Sequence, residues 1–236
     1  MNLDEALSIL RSSLDDETVP YLWSDANLLS YLNRRRNEFA RVTEHYRDHT
    51  TTAICNITVT AGTATYALDS RVISIKRARG SWDSSKLPLT RRTVSYMDAK
   101  HPGWENDSAD EPLYYIPDRT AGYITIHPNP SSNGTLYLDV TRLPLAQLTL
   151  SDIGKATPTE IEFPLMWVEN LFDGVLASAF SKPDSQTRNP QMAQYHLGLW
   201  NAFLQEAGSH NETERVDRAF IDSNSFEDDG VFVFEG

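Results

Sequence analysis

The chain has 236 residues, 40% of them hydrophobic, and a formal net charge of −12, so it can build a core in one large domain or two small ones. The acidic excess opposes long-range attraction to DNA phosphates and to anionic lipid. Cys55 is the only cysteine, which excludes an intrachain disulfide and a multi-cysteine zinc site. We expect a cytoplasmic product, because the acidic, amphipathic start does not resemble a secretory signal and no run approaches about 18 apolar residues.

Two helices are predicted before residue 50. The first carries leucines at steps of three and four, at Leu3, Leu7, Leu10 and Leu14. The second begins after Ser24, a good N-cap, and its apolar positions continue to Tyr46. His45 and His49 lie four residues apart on this predicted helix, a spacing that can hold a metal ion. No carboxylate pattern completes such a site, so we interpret them as surface histidines.

From about Ile54 the apolar period changes from 3.6 residues to 2. This pattern predicts strands at 54–60, 66–68, 72–78, 87–89, 114–116, 123–126 and 136–140, with one or two helical turns at 94–100. The turn signal Ala61-Gly62-Thr63 predicts a hairpin between the first two strands, and 87–89 is predicted to be an edge strand. A run of short antiparallel strands indicates a small sandwich or barrel.

Helical spacing returns after Phe163. Pro164 is predicted at the first position of a helix that runs to Phe180. Asn189 and Pro190 are predicted to cap and open the next helix, and Gly208 to end it. The predicted inner stripe of that helix consists of Met192, Tyr195, Leu199, Ala202 and Phe203.

The last segment, 209–236, differs from the rest because it holds eight acidic and two basic residues. Such a segment is expected to be disordered alone and ordered on a partner. Its end is strand-like and could add to an exposed sheet edge, although it could also fold back onto its own sheet. The predicted partner-binding anchors are Phe226, Val231, Phe232, Val233 and Phe234.

The predicted fold class is α+β, an antiparallel helical bundle with an inserted small antiparallel β-sandwich or barrel and an extended C-terminal arm. The bundle is assigned to 1–52 and 151–208, the β-rich insert to 53–150, and the acidic arm to 209–236. This order of parts is not typical of a protein built around a catalytic cleft. The layout therefore favours a protein that joins other proteins.

The sequence contains no phosphate loop, dinucleotide fingerprint, nucleophile elbow or metalloprotease signature. Asp107, Asp110 and Glu111 lack the spacing of a calcium site and are interpreted as a solvated loop. The basic runs Arg34–Arg36 and Arg91–Arg92 could touch phosphate, but salt bridges or a solvated face are favoured. We therefore predict no catalytic residue, no metal and no cofactor.

The order of these features resembles the head-to-tail adaptor proteins of tailed bacteriophages, over roughly residues 20–208. The features that carry the resemblance are, in chain order, Trp23-Ser24-Asp25 before Tyr31-Leu32-Asn33, the stretch from Thr58 to Leu68, Pro112-Leu113-Tyr114-Tyr115 before Gly122 to Pro128, Arg142-Leu143-Pro144-Leu145, and the helix from Gly174 to Phe180 with the following Asp184.

The resemblance implies twelve copies in a ring beneath the portal of a virion, each with a C-terminal arm that reaches onto the portal. The implied partners are the portal protein, a tail nozzle or tube protein, and other copies of the chain. Genomic DNA would pass through the lumen without specific binding, and a negative lumen would let it slide. The resemblance implies assembly in the host cytoplasm and brings no catalytic residues.

Two alternatives stay open from the sequence. The first is another virion component, a tail or head-completion protein with the same plan. The second is a carbohydrate-directed enzyme with exposed aromatic residues near acidic ones, namely Trp82 and Trp104 near Asp83, Asp107 and Glu111. That enzyme would need a carboxylate pair about 5–10 Å apart in a cleft.

Overall fold

A computed structural model describes residues 1–82, 87–184 and 186–225, the last fifteen of them as backbone. The chain divides into two compact units, a helical unit of Met1–His45 and Ala146–Gly236, and a β unit of Tyr46–Leu145. Helices and strands are thus segregated, and the α+β class is confirmed. Among the helices within the described ranges, none combines the length and apolar composition needed to span a bilayer.

The α-helices of the described residues are α1 (Leu3–Ser13), α2 (Asp25–Thr43), α3 (Thr52–Cys55), α4 (Val94–Lys100), α5 (Val168–Phe180) and α6 (Pro190–Ser225). Local capping explains where the first two begin. Asn2 and Glu5 form a reciprocal capping box at α1, and the Ser24 hydroxyl accepts the Asn27 N–H at 3.3 Å at the start of α2. The predicted starts of both helices are confirmed.

Helix α2 ends earlier than predicted, at Thr43, because Glu44 adopts a left-handed conformation with φ 49°. The Thr43 hydroxyl donates to the carbonyl of Phe39 at 2.8 Å. The chain then enters strand β1 (Arg47–Asp48). His45 and His49 therefore do not share a helix, which removes the geometry of a metal pair.

Helix α5 contacts both α2 and α6, and together these helices enclose the core of the helical unit. A short 3-10 turn, Leu165–Trp167, precedes α5, so Pro164 caps this turn and does not occupy the first position of the α-helix. The predicted end at Phe180 is confirmed. Two further 3-10 turns lie at Trp104–Asn106 and Leu150–Asp152.

Helix α6 is longer than predicted. Its start is as expected, with the Asn189 side chain accepting the Met192 N–H at 3.2 Å and Pro190 at the first position. The predicted end at Gly208 is wrong, because the helix continues through this residue to Ser225. Glycine in a helix interior is unfavourable but tolerated when the flanking residues are good helix formers. The backbone of 209–225 is thus helical, and only residues 226–236 remain as the proposed arm.

Replacing Gly208 with alanine is therefore expected to stabilise the protein by about 1 kcal/mol, because alanine is the better helix former and no atom lies within 4 Å of the new methyl group. Urea unfolding measures this free energy. If Gly208 terminated the helix in the left-handed conformation, as predicted from the sequence, the same change would destabilise the protein.

The remaining strands of the β unit are β2 (Asn56–Val59), β3 (Thr65–Ala67), β4 (Val72–Ser81), β5 (Leu87–Arg91), β6 (Tyr114–Ile116), β7 (Tyr123–His127) and β8 (Gly134–Arg142). Within the described residues they form one eight-stranded sheet in the order β1-β8-β4-β5-β6-β7-β3, with β2 also paired to β8. The predicted sandwich or barrel takes the form of this single curled sheet, which resembles half of a barrel.

Strand β5 was predicted to be an edge strand, but it lies inside the sheet between β4 and β6. It pairs antiparallel with β4, where Ala78 lies opposite Leu89, and parallel with β6, where Thr90 lies opposite Tyr114. A parallel pair needs a long crossover, and residues 92–113, which contain α4, provide it. The other ladders are antiparallel, as expected.

The predicted hairpin between residues 54–60 and 66–68 is also wrong. Strand β2 pairs with β8 and strand β3 with β7. The turn itself is present, since Gly62 has φ +77° and its N–H donates to the carbonyl of Pro130 at 2.7 Å. The Tyr66 hydroxyl accepts the Thr60 N–H at 3.2 Å. The Gly62 bond joins this connection to the segment between β7 and β8, and one core includes both Val59 and Tyr66.

Candidate docking surfaces

The five predicted anchor residues lie outside the described residues, so the structure shows neither their contacts nor their conformation. They are Phe226, Val231, Phe232, Val233 and Phe234. Helix α6 leads directly to them, because it ends at Ser225. Among the described residues, the first candidate docking surface lies on this helix.

The inner side of α6 differs from the predicted stripe. The residues that it buries are Ala193, Trp200, Phe203, Leu204 and Ala207. Of the predicted stripe only Phe203 is buried, whereas Met192, Tyr195, Leu199 and Ala202 are exposed. The helix therefore has apolar residues on two sides, and the prediction selected the side that does not face α5.

The exposed side of α6 is uncharged over its first four turns. From Pro190 to Gln205 the sequence contains no Asp, Glu, Lys or Arg, and the first charged residue is Glu206. Tyr195 is 60% exposed, Leu199 39% and Met192 37%. We call the exposed residues Met192, Tyr195, Leu199 and Ala202 the α6 face. Depletion of charge together with exposed Tyr and Met is typical of the centre of protein interfaces.

Trp200 fixes the rotation of α6 about its axis. Its ring is fully buried against Gly174 of α5, where a β-carbon would lie 2.8 Å from the ring. Its indole N–H donates to Glu38 at 3.1 Å, and Glu38 also accepts from Arg35 at 2.6 Å. Arg35 donates from Nε to the carbonyl of Gly174 at 2.8 Å. This buried network joins α2, α5 and α6 and sets which side of α6 is exposed.

Replacing Gly174 with alanine is expected to destabilise the protein by about 1–3 kcal/mol, because the methyl group overlaps the Trp200 ring and approaches Arg35 to 3.1 Å. Gly198→Ala is the matched control in α6, where nothing lies within 4 Å, and it should be stabilising by up to about 1 kcal/mol. Chemical denaturation of both variants gives the two free energies. Equal effects would contradict the close approach of α5 and α6.

A second exposed apolar site lies in the turn before α5. Leu165 and Met166 are each 71% exposed, whereas the next residue, Trp167, is buried with its ring 5.8 Å from that of Phe39. Trp167 thus holds the turn against the core and leaves its two neighbours outside. We call this pair the Leu165–Met166 knob. Glu169, one turn further on, is exposed beside it.

A cleft of about 540 Å³ in the helical unit is lined mainly by polar and charged residues. Arg11 lies at its base, buried, and pairs with Asp16 at 3.0 Å and with Asp25. Tyr21 covers the guanidinium at 3.4 Å. Asp16 in turn accepts the N–H of Leu22 at 2.8 Å. The cleft is therefore the by-product of an ion-pair network that fixes the loop between α1 and α2.

Asp48 and Arg142 form the corresponding buried pair of the β unit. The Arg142 Nε donates to Asp48 at 2.6 Å, and the side chains of Arg142 and Asp48 are 9% and 4% exposed respectively. The same carboxylate accepts the N–H groups of Thr50 and Thr51 at 2.9 and 3.0 Å and the Thr51 hydroxyl at 2.7 Å. Burial alone would raise the pKa of Asp48, but these bonds and Arg142 outweigh it and hold the pKa far below its usual value.

Cys55 is not a reactive thiol. Burial, followed by the charge of Asp48, raises the pKa of its thiol to about 11. Its sulfur lies 3.7 Å from Asp48. A thiol with this pKa is almost entirely protonated at neutral pH and therefore a weak nucleophile. Cys55 is a buried part of the core.

The predicted acidic loop does not gather into a site. Asp107 accepts a hydrogen bond from His127 at 3.2 Å, whereas Asp110 bridges to the backbone of Pro130. Burial lowers the pKa of His127 despite the opposing effect of Asp107. Across the described residues there is no group of three or more metal-ligating side chains. His127 stacks on Tyr114 at 6.4 Å, which is a structural role.

The two arginine runs are divided between structure and surface. Arg34 is exposed, but Arg35 and Arg36 are buried and donate to backbone carbonyls of the helical unit. Their burial had no signal in the sequence, which favoured surface pairs. In the β unit, Arg92 lies over the rings of Tyr96 at 4.6 Å and Tyr114 at 5.5 Å. These contacts are structural, and only Arg34 and Arg91 extend into solvent.

The aromatic residues invoked for a carbohydrate-directed enzyme are not exposed. Trp104 is 5% exposed, and its indole N–H donates to Asp98 at 3.0 Å. Trp82 is half-buried and covers the backbone at Gly80 and Gly134. Asp83 lies outside the described residues. Neither tryptophan is therefore an exposed aromatic residue of the kind that this alternative invoked.

The excess of negative over positive charge lies entirely in the helical unit. The β unit contains 11 basic and 10 acidic residues, a net charge of +1, so the helical unit carries −13. Segment 209–236 contributes −6 of this. The two units thus present very different fields to a charged partner.

A family model described as SU10 adaptor protein matches residues 1–222, nearly the whole chain. A search of the curated proteins finds no match to this chain. The family match covers the β unit and the helical unit as far as residue 222 of α6, and it confirms the resemblance seen in the order of the sequence features. The chain belongs to the SU10 adaptor protein family, a family of phage adaptor proteins.

Proposed function

We propose that this protein is a structural head-to-tail adaptor of a tailed phage, without catalytic activity, located in the virion at the head–tail junction. The observation that carries the proposal is the family match over residues 1–222. The described surfaces are consistent with it, because the exposed positions that stand out are apolar contact residues and not converging catalytic groups.

In this proposal twelve copies form a ring beneath the portal, with the helices of the helical unit acting as an antiparallel bundle. The segment after α6 docks onto the portal through Phe226 and Val231 to Phe234, and another surface of the ring receives the tail nozzle or tube. An arm that starts at the end of a 36-residue helix starts well away from its own core, since the helix is about 54 Å long.

We further propose that DNA passes through the ring without specific binding and that the helical unit, not the β unit, contributes to the lumen. The charge of −13 on the helical unit supports this, because like charges prevent phosphates from adhering to the wall. A ring structure with a basic lumen would count against this part of the proposal.

The test is to mix the protein with the portal ring encoded by the same phage genome and to weigh the complexes by mass photometry. Twelve chains of 26.7 kDa should add about 320 kDa to each portal ring. Binding to a tail protein in place of the portal would assign the chain to another tail or head-completion component, and no binding to either would contradict the adaptor function.

A further inference from the structure

We infer that the α6 face and the Leu165–Met166 knob are the two halves of one interface between neighbouring copies of this chain. The knob of one copy packs onto the α6 face of the next. This inference rests on the proposed ring and deepens it, because it names the surfaces by which the copies recognise each other.

The α6 face has the composition of an interface centre and not that of a solvated helix. Sixteen consecutive residues of α6, about 24 Å of helix, carry no charge in a chain that is 23% charged. Tyr195 and Met192 project from this stretch. Tyrosine and methionine are enriched and charged residues depleted at the centres of interfaces. An ordinary surface helix would carry charged residues on this side.

The Leu165–Met166 knob supplies the apolar side chains that such a face receives. Two adjacent apolar side chains, each 71% exposed, stand on a turn that the buried Trp167 holds in place. The knob lies where Trp167 packs against Phe203 at 5.7 Å, whereas the α6 face is centred about two turns earlier in α6. Knob and face are therefore separate surfaces of the helical unit.

Separate, complementary surfaces are required to close a ring. In a ring every copy uses one surface toward the preceding copy and a different one toward the next, whereas a twofold dimer uses the same surface twice.

The charges beside the two surfaces also favour pairing of the knob with the α6 face. The α6 face begins at the positive end of a helix and beside the exposed Arg188, and the knob lies beside the exposed Glu169. A second copy thus matches in both apolar and charged character.

Cross-linking between two differently labelled copies tests the pairing directly. Met166→Cys is introduced into one chain and Tyr195→Cys into another, and the mixture is treated with a short bis-maleimide in the presence of the portal ring. Cys55 is buried and protonated, so the background reaction is low. We expect a covalent product of two chains in the mixture only. A chain carrying both changes should yield a ladder of higher multiples.

Disruption tests the same surfaces without labels. Tyr195→Glu is expected to abolish the ring-sized mass and leave single chains of 26.7 kDa, because it buries an unpaired charge. Gln147→Glu adds the same negative charge at an exposed position of the helical unit, and this variant should assemble normally. Unchanged urea unfolding of the Tyr195→Glu chain shows that it is folded.

The outcomes separate this inference from the proposed function. If Tyr195→Glu still forms rings on the portal, or if the doubly substituted chain cross-links only within itself, the pairing is wrong and the adaptor function stands. If the two-chain product forms but the wild-type protein does not bind the portal, the pairing stands and the portal function is wrong.

Discussion

Removal of residues 226–236 is expected to abolish docking to the portal ring while the stability of the protein stays unchanged. The deletion removes Phe226 and Val231 to Phe234, the proposed anchors, and retains α6 to its end at Ser225. Loss of even two of the three aromatic anchors, at about 2 kcal/mol each, corresponds to a drop in affinity of about a thousandfold. Mass photometry with the portal ring measures the docking, and thermal unfolding measures the stability.

Point variants distinguish apolar anchoring from a simple effect of charge or length. The full-length chain with Phe232→Asp and Phe234→Asp should lose docking as the deletion does. Asp228→Asn with Asp229→Asn is the control, since it changes the charge of the same segment by two units in the opposite direction and keeps every apolar residue. Undiminished portal binding by the deletion variant would show that the arm is not the docking element.

The features that could be predicted from the sequence are those that neighbouring residues determine. Ser24 and Asn189 cap the helices that they were predicted to cap, because an N-cap contacts N–H groups only two or three residues away. The strands around Ile124 and Leu138 were found because their apolar residues alternate. The helix end predicted at Gly208 was wrong, because a glycine marks the end of a helix only where the chain takes the left-handed conformation.

Strand partners and helix orientation could not be predicted, because distant residues decide them. The turn at Gly62 is where it was predicted, but β2 and β3 pair with strands more than 50 residues away instead of with each other. In α6 two apolar stripes compete, and the one that contains Trp200 is buried because Gly174 leaves room for the ring. Nothing near Trp200 in the sequence indicates that space.

Of the two docking surfaces, one could have been predicted from the sequence and the other could not. The uncharged stretch from Pro190 to Gln205 is visible in the sequence, and its lack of charge could have identified an interface before its exposure was known. The Leu165–Met166 knob could not be recognised, because its residues read as the first turn of an apolar helix. Asp48 and Arg142 lie 94 residues apart, so no local pattern pairs them.

Replacing Asp48 with asparagine is expected to destabilise the β unit by about 3–5 kcal/mol at pH 7, because Arg142 would remain buried without its counter-charge. The effect depends on pH. The pKa of Asp48 is lower in the folded than in the unfolded protein, so its charge stabilises the fold fully above the unfolded pKa of about 3.9. This contribution is lost as the pH falls from about 4 toward the depressed folded pKa. Urea unfolding at pH 7 and pH 3 should therefore show a smaller difference between wild type and variant at pH 3.

Two further variants make the Asp48 result specific. Asp139→Asn removes an ion pair of the same sheet, with Arg79 at 3.1 Å, in which both side chains are partly exposed. It should cost no more than about 1 kcal/mol, since solvent screens such pairs. Adding Arg142→Met to Asp48→Asn should recover part of the loss, because it removes the unpaired buried charge. If Asp48→Asn costs no more than Asp139→Asn, the buried pair does not stabilise the β unit as its geometry indicates.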